Sequence, residues 1–168
     1  MKAIVAVDTE WGIGNQGELL VSLPEDQKDT FRRLTYGNTI IYGRKTMSTF
    51  PAQKLLPGRT NIILSRNPAF VKDGAIILHS DEEVLEYCRN HPEEEQFLIG
   101  GAEVFQGLLP YCSEAIVSRI DHAFHADAYF PNLEEDLGWK EVSRSEVIHS
   151  VKGFDFTVHQ YRNLNMQF

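Results

Sequence analysis

The residue best placed to do chemistry is Asp26, at the end of Leu23-Pro24-Glu25-Asp26. Apolar Leu19-Leu20-Val21 precede it, and Phe31 and Leu34 follow. Ser22 and Glu25 have the spacing of a capping box, with Pro24 tolerated in the first turn. That spacing puts Asp26 in the first turn of a helix, on or near its inward face. The helix dipole lowers the pKa of such a carboxylate, whereas burial raises it. A group held in that balance suits hydrogen bonding to a cationic heterocycle. The plainer alternative is a solvated first-turn aspartate.

Three further groups point to an anionic partner. Gly43-Arg44-Lys45-Thr46 stands where a strand gives way to a helix, so free N–H groups, a helix dipole and two cations converge. Ser65-Arg66, at the end of the next strand, repeats the theme with a hydroxyl and a guanidinium. A 2′-phosphate of NADPH would use this pair, whereas NAD would leave its charge idle. Ile99-Gly100-Gly101-Ala102 is again a strand, two glycines and a helix, where a pyrophosphate or nicotinamide could lie against bare backbone. Gly12-Ile13-Gly14-Asn15-Gln16-Gly17 permits close approach or a mobile lid, but no helix follows at once. As a dinucleotide fingerprint it is weak. Arg59, after Pro57-Gly58, could clamp a substrate carboxylate or be simply solvated.

Composition bounds these readings. The chain has 168 residues, 42% hydrophobic and 24% charged, the balance of one ordinary globular domain spanning residues 1–168. A net charge of −8 argues against a general nucleic-acid binder or a binder of anionic membranes. Any anionic ligand must then be met by local clusters of Arg and Lys. Cys88 and Cys112 lie far apart, and the six histidines form no paired motif, so no metal site is expected. Reduced thiols in a cytoplasmic protein are the default. The opening Met1-Lys2-Ala3-Ile4-Val5-Ala6-Val7 reaches Asp8 too soon for a signal segment or a membrane span.

The elements that must position these residues alternate. Ala3–Val7, Thr39–Tyr42, Asn61–Ser65, Ala75–Leu78, Gln96–Ile99 and Ala115–Ile120 read as strands, several apolar on both faces as in a covered parallel sheet. Pro24–Leu34, Arg44–Phe50, Asp81–Arg89 and Ala102–Leu109 read as helices, and Ser80 with Glu83 makes a second capping box. Lys140–His149 and Phe154–Arg162, around Ser150-Val151-Lys152-Gly153, predict a closing antiparallel hairpin. The expected architecture is one mostly parallel α/β domain.

Taken in order, the first strand, Gly12-Ile13-Gly14, Leu23-Pro24-Glu25-Asp26, Gly43-Arg44-Lys45-Thr46, Leu56-Pro57-Gly58-Arg59-Thr60-Asn61-Ile62-Ile63-Leu64-Ser65, Ile99-Gly100-Gly101 and Tyr129-Phe130-Pro131 resemble dihydrofolate reductase. Each motif alone is modest, but their order and spacing are specific. The resemblance implies an eight-stranded, mostly parallel sheet with four flanking helices. It also implies a cytoplasmic, monomeric enzyme of one-carbon metabolism that reduces 7,8-dihydrofolate with NADPH and binds antifolates. By the same resemblance Asp26 is the pocket's one acid, binding the pterin and favouring protonation at N5. Arg59 grips the glutamate tail, and Ile4, Val5, Phe31, Phe50, Leu56 and Ile99 line the substrate cleft. Ser118 supports Asp26 from the facing strand. Ala6, Ile13, Gly14, Gly100, Gly101 and Ala102 hold the nicotinamide and pyrophosphate. Arg44, Lys45, Thr46, Ser65 and Arg66 hold the adenosine phosphates, and Gly43, Leu64, Ile99, Val104 and Phe105 complete the cofactor groove. Asn15 to Val21 corresponds to a loop that closes over the site.

The chain departs from the family pattern in places. Val21 and Phe105 stand where Trp and Tyr are frequent, and Ser118 replaces a commoner Thr. The family's pocket aromatic commonly lies four residues after the acid, but here that position is Thr30 and Phe31 is one further on. One added residue rotates a helical position by about 100°. A π-bulge would keep Phe31 facing the pterin, whereas an extra residue in the Thr35–Asn38 turn would put Thr30 there; precedent for such bulges near active sites favours Phe31. Two competing functions use parts of the same evidence. A reductase of this fold acting on a ribosylaminopyrimidine would share the cofactor-side glycines, and a non-catalytic folate or nucleotide binder would keep the fold. Asp26 together with Arg59 favours the folate.

Overall fold

The computed structural model describes residues 1–168. Its main sheet runs in the order Trp139–Arg144, Asp155–Asn163, Glu114–Ile120, Lys2–Val7, Gln96–Gly100, Thr39–Gly43, Thr60–Leu64, Ile76–Leu78. The parallel strands are β1 (Lys2–Val7), β4 (Thr39–Gly43), β5 (Thr60–Leu64), β6 (Ile76–Leu78), β7 (Gln96–Gly100) and β8 (Glu114–Ile120). The antiparallel side is β10 (Trp139–Arg144) and β12 (Asp155–Asn163), with short β11 (Ile148–His149) pairing β12. Successive side chains of a strand point to opposite faces, and here both faces are covered. Ile41, Ile62 and Leu98 pack against Val84, Leu85, Phe105 and Leu108 of helices α3 (Asp81–Asn90) and α4 (Ala102–Leu108). Ile40, Tyr42, Ile63 and Phe97 face the other way, toward Phe31, Leu34 and Phe50. No helix is long and apolar enough to cross a membrane.

Four local expectations change. The Ser22–Glu25 capping box does not form; Leu23 is the N-cap, without a side-chain hydrogen bond. Glu25 instead accepts from Ser150 Oγ at 2.7 Å and from Val151 N at 3.0 Å, in the turn after β11. Arg44–Thr49 is a 3₁₀ segment, not an α-helix to Phe50. Ser48 and Thr49 donate to the Lys45 and Thr46 carbonyls, and Pro51 follows, so local hydroxyl bonding and a missing N–H oppose an α-helix. The final hairpin's first arm is broken into β10 and β11, with a bulge between Glu141 and Ser143. Finally, residues 12–19 are not an open loop: β2 (Gly12–Asn15) pairs with β3 (Glu18–Leu19) and with β9 (Ala128–Tyr129) in a separate small sheet. Gln16 and Gly17, with φ of 51° and 80°, make the tight turn that joins β2 to β3.

The helical run over residues 24–35 is composite. A turn of α1 (Pro24–Asp26) leads into a π-helical stretch, Gln27–Arg32, and then into α2 (Arg33–Thr35). This is the π-bulge expectation, and the added residue is absorbed inside the helix rather than in the turn beyond it.

Candidate active site

Asp26 is buried near the start of the helical run, where it faces the end of β8. Ser118 Oγ donates to Asp26 Oδ1 at 2.5 Å. Burial raises the Asp26 pKa, while the hydroxyls of Ser118 and Thr30 lower it; the balance is upward. No charged side chain contributes to this shift, because neighbouring Glu25 is turned to the Ser150–Val151 turn. Asp26 is therefore an acid governed by burial and two neutral hydroxyls.

The register question has an unforeseen answer. Bonds of the i→i+5 type take more than four residues per turn, so positions four and five after Asp26 straddle its direction. Thr30 is buried, and both it and Phe31 line the cleft that Asp26 lines, so the structure brings in both.

Phe31 also helps to hold Arg59. The Arg59 guanidinium lies 5.7 Å from the Phe31 ring centroid and 5.5 Å from that of Tyr36. Its Nε donates to Thr35 Oγ1 and its Nη1 to the Pro57 carbonyl, both at 2.9 Å. A carboxylate would meet the Nη groups end-on, since Nε is already engaged. Burial and nearby Arg32 push the Arg59 pKa down, but a guanidinium remains charged.

One cleft of about 2050 Å³ runs along the carboxyl ends of the parallel strands. Single-ligand sites usually span roughly 300–1,000 Å³, so there is room for two ligands side by side. Every candidate residue lines it. Ile4, Val5, Asp26, Phe31, Phe50, Leu56, Arg59 and Ser118 do so together with Ala6, Ile13, Gly14, Ile99, Gly100, Gly101, Ala102, Val104 and Phe105. Gly43, Arg44, Lys45, Thr46, Leu64, Ser65 and Arg66 line it as well. Two of the glycines are constrained: a Cβ on Gly43 would lie 3.1 Å from Val104 Cγ2, and Gly100 holds φ of +130°, whereas one on Gly101 would make only ordinary contact with Thr46 Oγ1 at 3.5 Å. Bare backbone between Gly43, Thr46 and Gly101 leaves space where a flat or pyrophosphate group could approach.

Anion binding here cannot lean on a long helix dipole, because the segment after Gly43 is a short 3₁₀ stretch. It rests on side chains: Arg44, whose guanidinium sits 4.8 Å from the Phe70 ring centroid, with Lys45, Arg66 and the Thr46 and Ser65 hydroxyls. Arg44, Lys45 and Arg66 supply local positive charge in a protein of net charge −8.

The whole chain points the same way. The sequence model of the dihydrofolate reductase family matches residues 1–163. A dihydrofolate reductase of Staphylococcus haemolyticus is 35% identical over 162 residues, covering 96% of this chain and 94% of that protein. One of Mycobacterium tuberculosis (strain ATCC 25618 / H37Rv) is 38% identical over 136 residues, covering 79% and 80%. A dihydrofolate reductase from Enterococcus faecalis, solved in complex with NADP(H) and RAB-propyl, superposes with a TM-score of 0.86. It is 32% identical and covers 96% of this chain and 95% of its own. The chain belongs to the dihydrofolate reductase family.

Against the usual dihydrofolate reductase pattern, the departures acquire physical form. Val21 lines the cleft and packs with Leu23, Ile120 and Phe156, offering no hydrogen-bond donor. Trp11 does not replace the missing indole. It is buried between Phe130 and Tyr161, with Arg119 over its ring. Phe105 is a core residue set edge-on to Phe130.

Sequence reasoning passed over several cleft residues. The sequence offers Thr30 only as an alternative to Phe31, yet both line the cleft. His79 and Asp81 also line the cleft, and His79 Nδ1 donates to the Ser65 carbonyl at 2.7 Å. The strand-end logic that found Ser65 and Arg66 applies equally to the end of β6 and would have found them. Asp8 was missed as an organiser. Its Oδ1 accepts from Glu10 N and Gly12 N, and its Oδ2 from Phe124 N, tying the small sheet to the end of β1. Away from the cleft, His159, Glu141 and Glu134 cluster beside Arg144 and Arg119, which pair with the two carboxylates.

Proposed function

We propose that this protein reduces 7,8-dihydrofolate to 5,6,7,8-tetrahydrofolate with NADPH, in the cytoplasm and as a monomer. The observation that carries the proposal is Asp26: a buried carboxyl, free of charged neighbours, in a cleft whose other reaches hold Arg59 and the Arg44–Lys45–Arg66 cations. When bound, NADPH supplies the hydride that goes to C6 of the pterin. The residues on the page fit that cofactor: cations and hydroxyls at the ends of β4 and β5 for the adenosine phosphates, and the glycines of β4 and β7 for the pyrophosphate and nicotinamide.

The chain's own groups do the rest. Asp26 accepts hydrogen bonds from the 2-amino group and N3 of the pterin, which favours a proton at N5, delivered through water. Ser118 fixes the orientation of the carboxylate. Arg59, stacked by Phe31 and Tyr36, holds the α-carboxylate of the substrate tail. Ile4, Val5, Phe50, Leu56 and Ile99 supply the apolar walls that keep water from the ring. The β2–β3 hairpin and the residues after it, to Val21, form the movable wall. Asn15 Nδ2 donates to the His125 carbonyl at 2.6 Å, and Gln16 N to Asp127 Oδ2 at 3.0 Å, so these contacts add to the β9 pairing in fastening the hairpin.

The test is NADPH oxidation followed optically with dihydrofolate and, separately, with a ribosylaminopyrimidine. Oxidation only with dihydrofolate is expected. Preference for the pyrimidine would reassign the substrate, and binding without oxidation would make the protein a non-catalytic binder. Sedimentation at micromolar concentration should give the mass of one chain.

A further inference from the structure

Arg44 lines the cleft yet is exposed, and none of its side-chain N–H groups is engaged within the protein. Its guanidinium has one partner, the Phe70 ring, with Cζ 4.8 Å from the ring centroid. Phe70 does not itself line the cleft. It is half-buried and packs against the core cluster of Ile4, Ile40, Tyr42, Ile63 and Phe97. The turn after β5 brings it there. Asn67 N donates to Ser65 Oγ at 3.3 Å, Ala69 N to Asn67 Oδ1 at 3.0 Å and Phe70 N to the Asn67 carbonyl at 3.1 Å. Such side-chain-to-backbone bonds turn the chain sharply, so the segment leaving Ser65 and Arg66 folds back toward Arg44.

We infer that Phe70 is a positioning residue for the choice of cofactor: it holds the plane of the Arg44 guanidinium and leaves the donating edge free for a 2′-phosphate. The inference rests on the NADPH reading proposed above. A guanidinium takes a ring on its face and donates in its plane, so stacking withdraws no donor from the phosphate. An exposed arginine without a partner would lose its rotamer freedom only on binding, whereas a ring packed on the core has already removed part of it. Phe31 and Tyr36 treat Arg59 in the same way, but Arg59 has two nitrogens engaged within the protein and Arg44 has none. NADH carries no 2′-phosphate and gains nothing from an ordered Arg44. Phe70 therefore acts on the difference between the two cofactors.

The test is the NADPH-to-NADH ratio, in Kd and in kcat/KM, for wild type, Phe70→Leu, Phe70→Tyr, Arg44→Ala and the Phe70→Leu/Arg44→Ala double variant. Phe70→Leu keeps apolar packing and removes the ring. It should lower the ratio about two- to five-fold, the range of an exposed cation–π contact, through NADPH alone. Phe70→Tyr keeps the ring and should keep the wild-type ratio. With Arg44 already removed, Phe70→Leu should change the ratio no further. A packing role alone predicts equal losses for both cofactors. Melting temperature, measured alongside, shows whether Phe70→Leu is folded; if it is not, Phe70→Met carries the comparison. Where Arg44→Ala lowers the ratio, an unchanged ratio in folded Phe70→Leu, equal losses for both cofactors, or a shift that persists without Arg44 overturns the inference. An unchanged ratio in Arg44→Ala itself would instead overturn the reading of the phosphate site, so the two failures are distinct.

Discussion

Asp26 and Arg59 show how neighbours decide what a charged residue can do. The sequence reads Asp26 as a first-turn aspartate beside a cap; its hydrogen-bond partner Ser118 lies instead on β8, and its upward shift comes from burial. Arg59 looked like a lone arginine after a turn, yet two aromatic rings, a hydroxyl and a carbonyl fix its plane. Such pre-ordering reduces the entropy lost on gripping a carboxylate. Arg59→Ala should therefore raise KM for dihydrofolate about ten-fold or more with kcat nearly kept, as for a contact made equally in ground and transition states. Steady-state kinetics check this; a large fall in kcat at unchanged KM would contradict it.

Elements bring these residues together at the carboxyl ends of β1, β4, β5 and β7. Where the chain is apolar on both faces of a strand, as in Ile40-Ile41-Tyr42, the strand was legible from sequence, because burial on both sides leaves little else possible. The β2–β3–β9 sheet was not legible. Its strands are short, rich in glycine and polar residues, and are pinned by distant partners such as Asp127 rather than by their own pattern. Glu25 misled for a similar reason: its spacing to Ser22 suggested a cap, but its hydrogen-bond partners lie in the turn after β11. The 3₁₀ segment after β4 changes how anion binding must be argued. With little dipole available, discrimination for a 2′-phosphate falls on cations, Arg44 foremost. Arg44→Ala should lower the NADPH-to-NADH preference about ten-fold or more, measured as the ratio of kcat/KM values. An unchanged ratio would remove Arg44 from the phosphate site.

The whole molecule carries a cost for its acid. A carboxyl whose folded pKa is raised binds more protons folded than unfolded between its two pKa values, so stability falls as pH rises through that window. Above the folded pKa the full penalty of an ionised, buried Asp26 is present. Asp26→Asn removes it and should raise the melting temperature at neutral pH, with the gain shrinking as pH falls toward the ordinary carboxylate range. Calorimetry at two pH values reads this directly; a variant that melts lower at neutral pH would mean the carboxylate stabilises the fold. At this scale the sequence was informative because motif order constrained one cleft: every residue singled out for the site lines it. What stayed hidden were groups chosen by geometry alone, Thr30 and His79 among them.

The most direct test of the central claim is turnover of Asp26→Asn with NADPH and dihydrofolate across pH. Retained NADPH binding, loss of most turnover at neutral pH, and partial recovery on acidification, when the substrate brings its own proton, are expected. Wild-type-like turnover at neutral pH in that variant would contradict it.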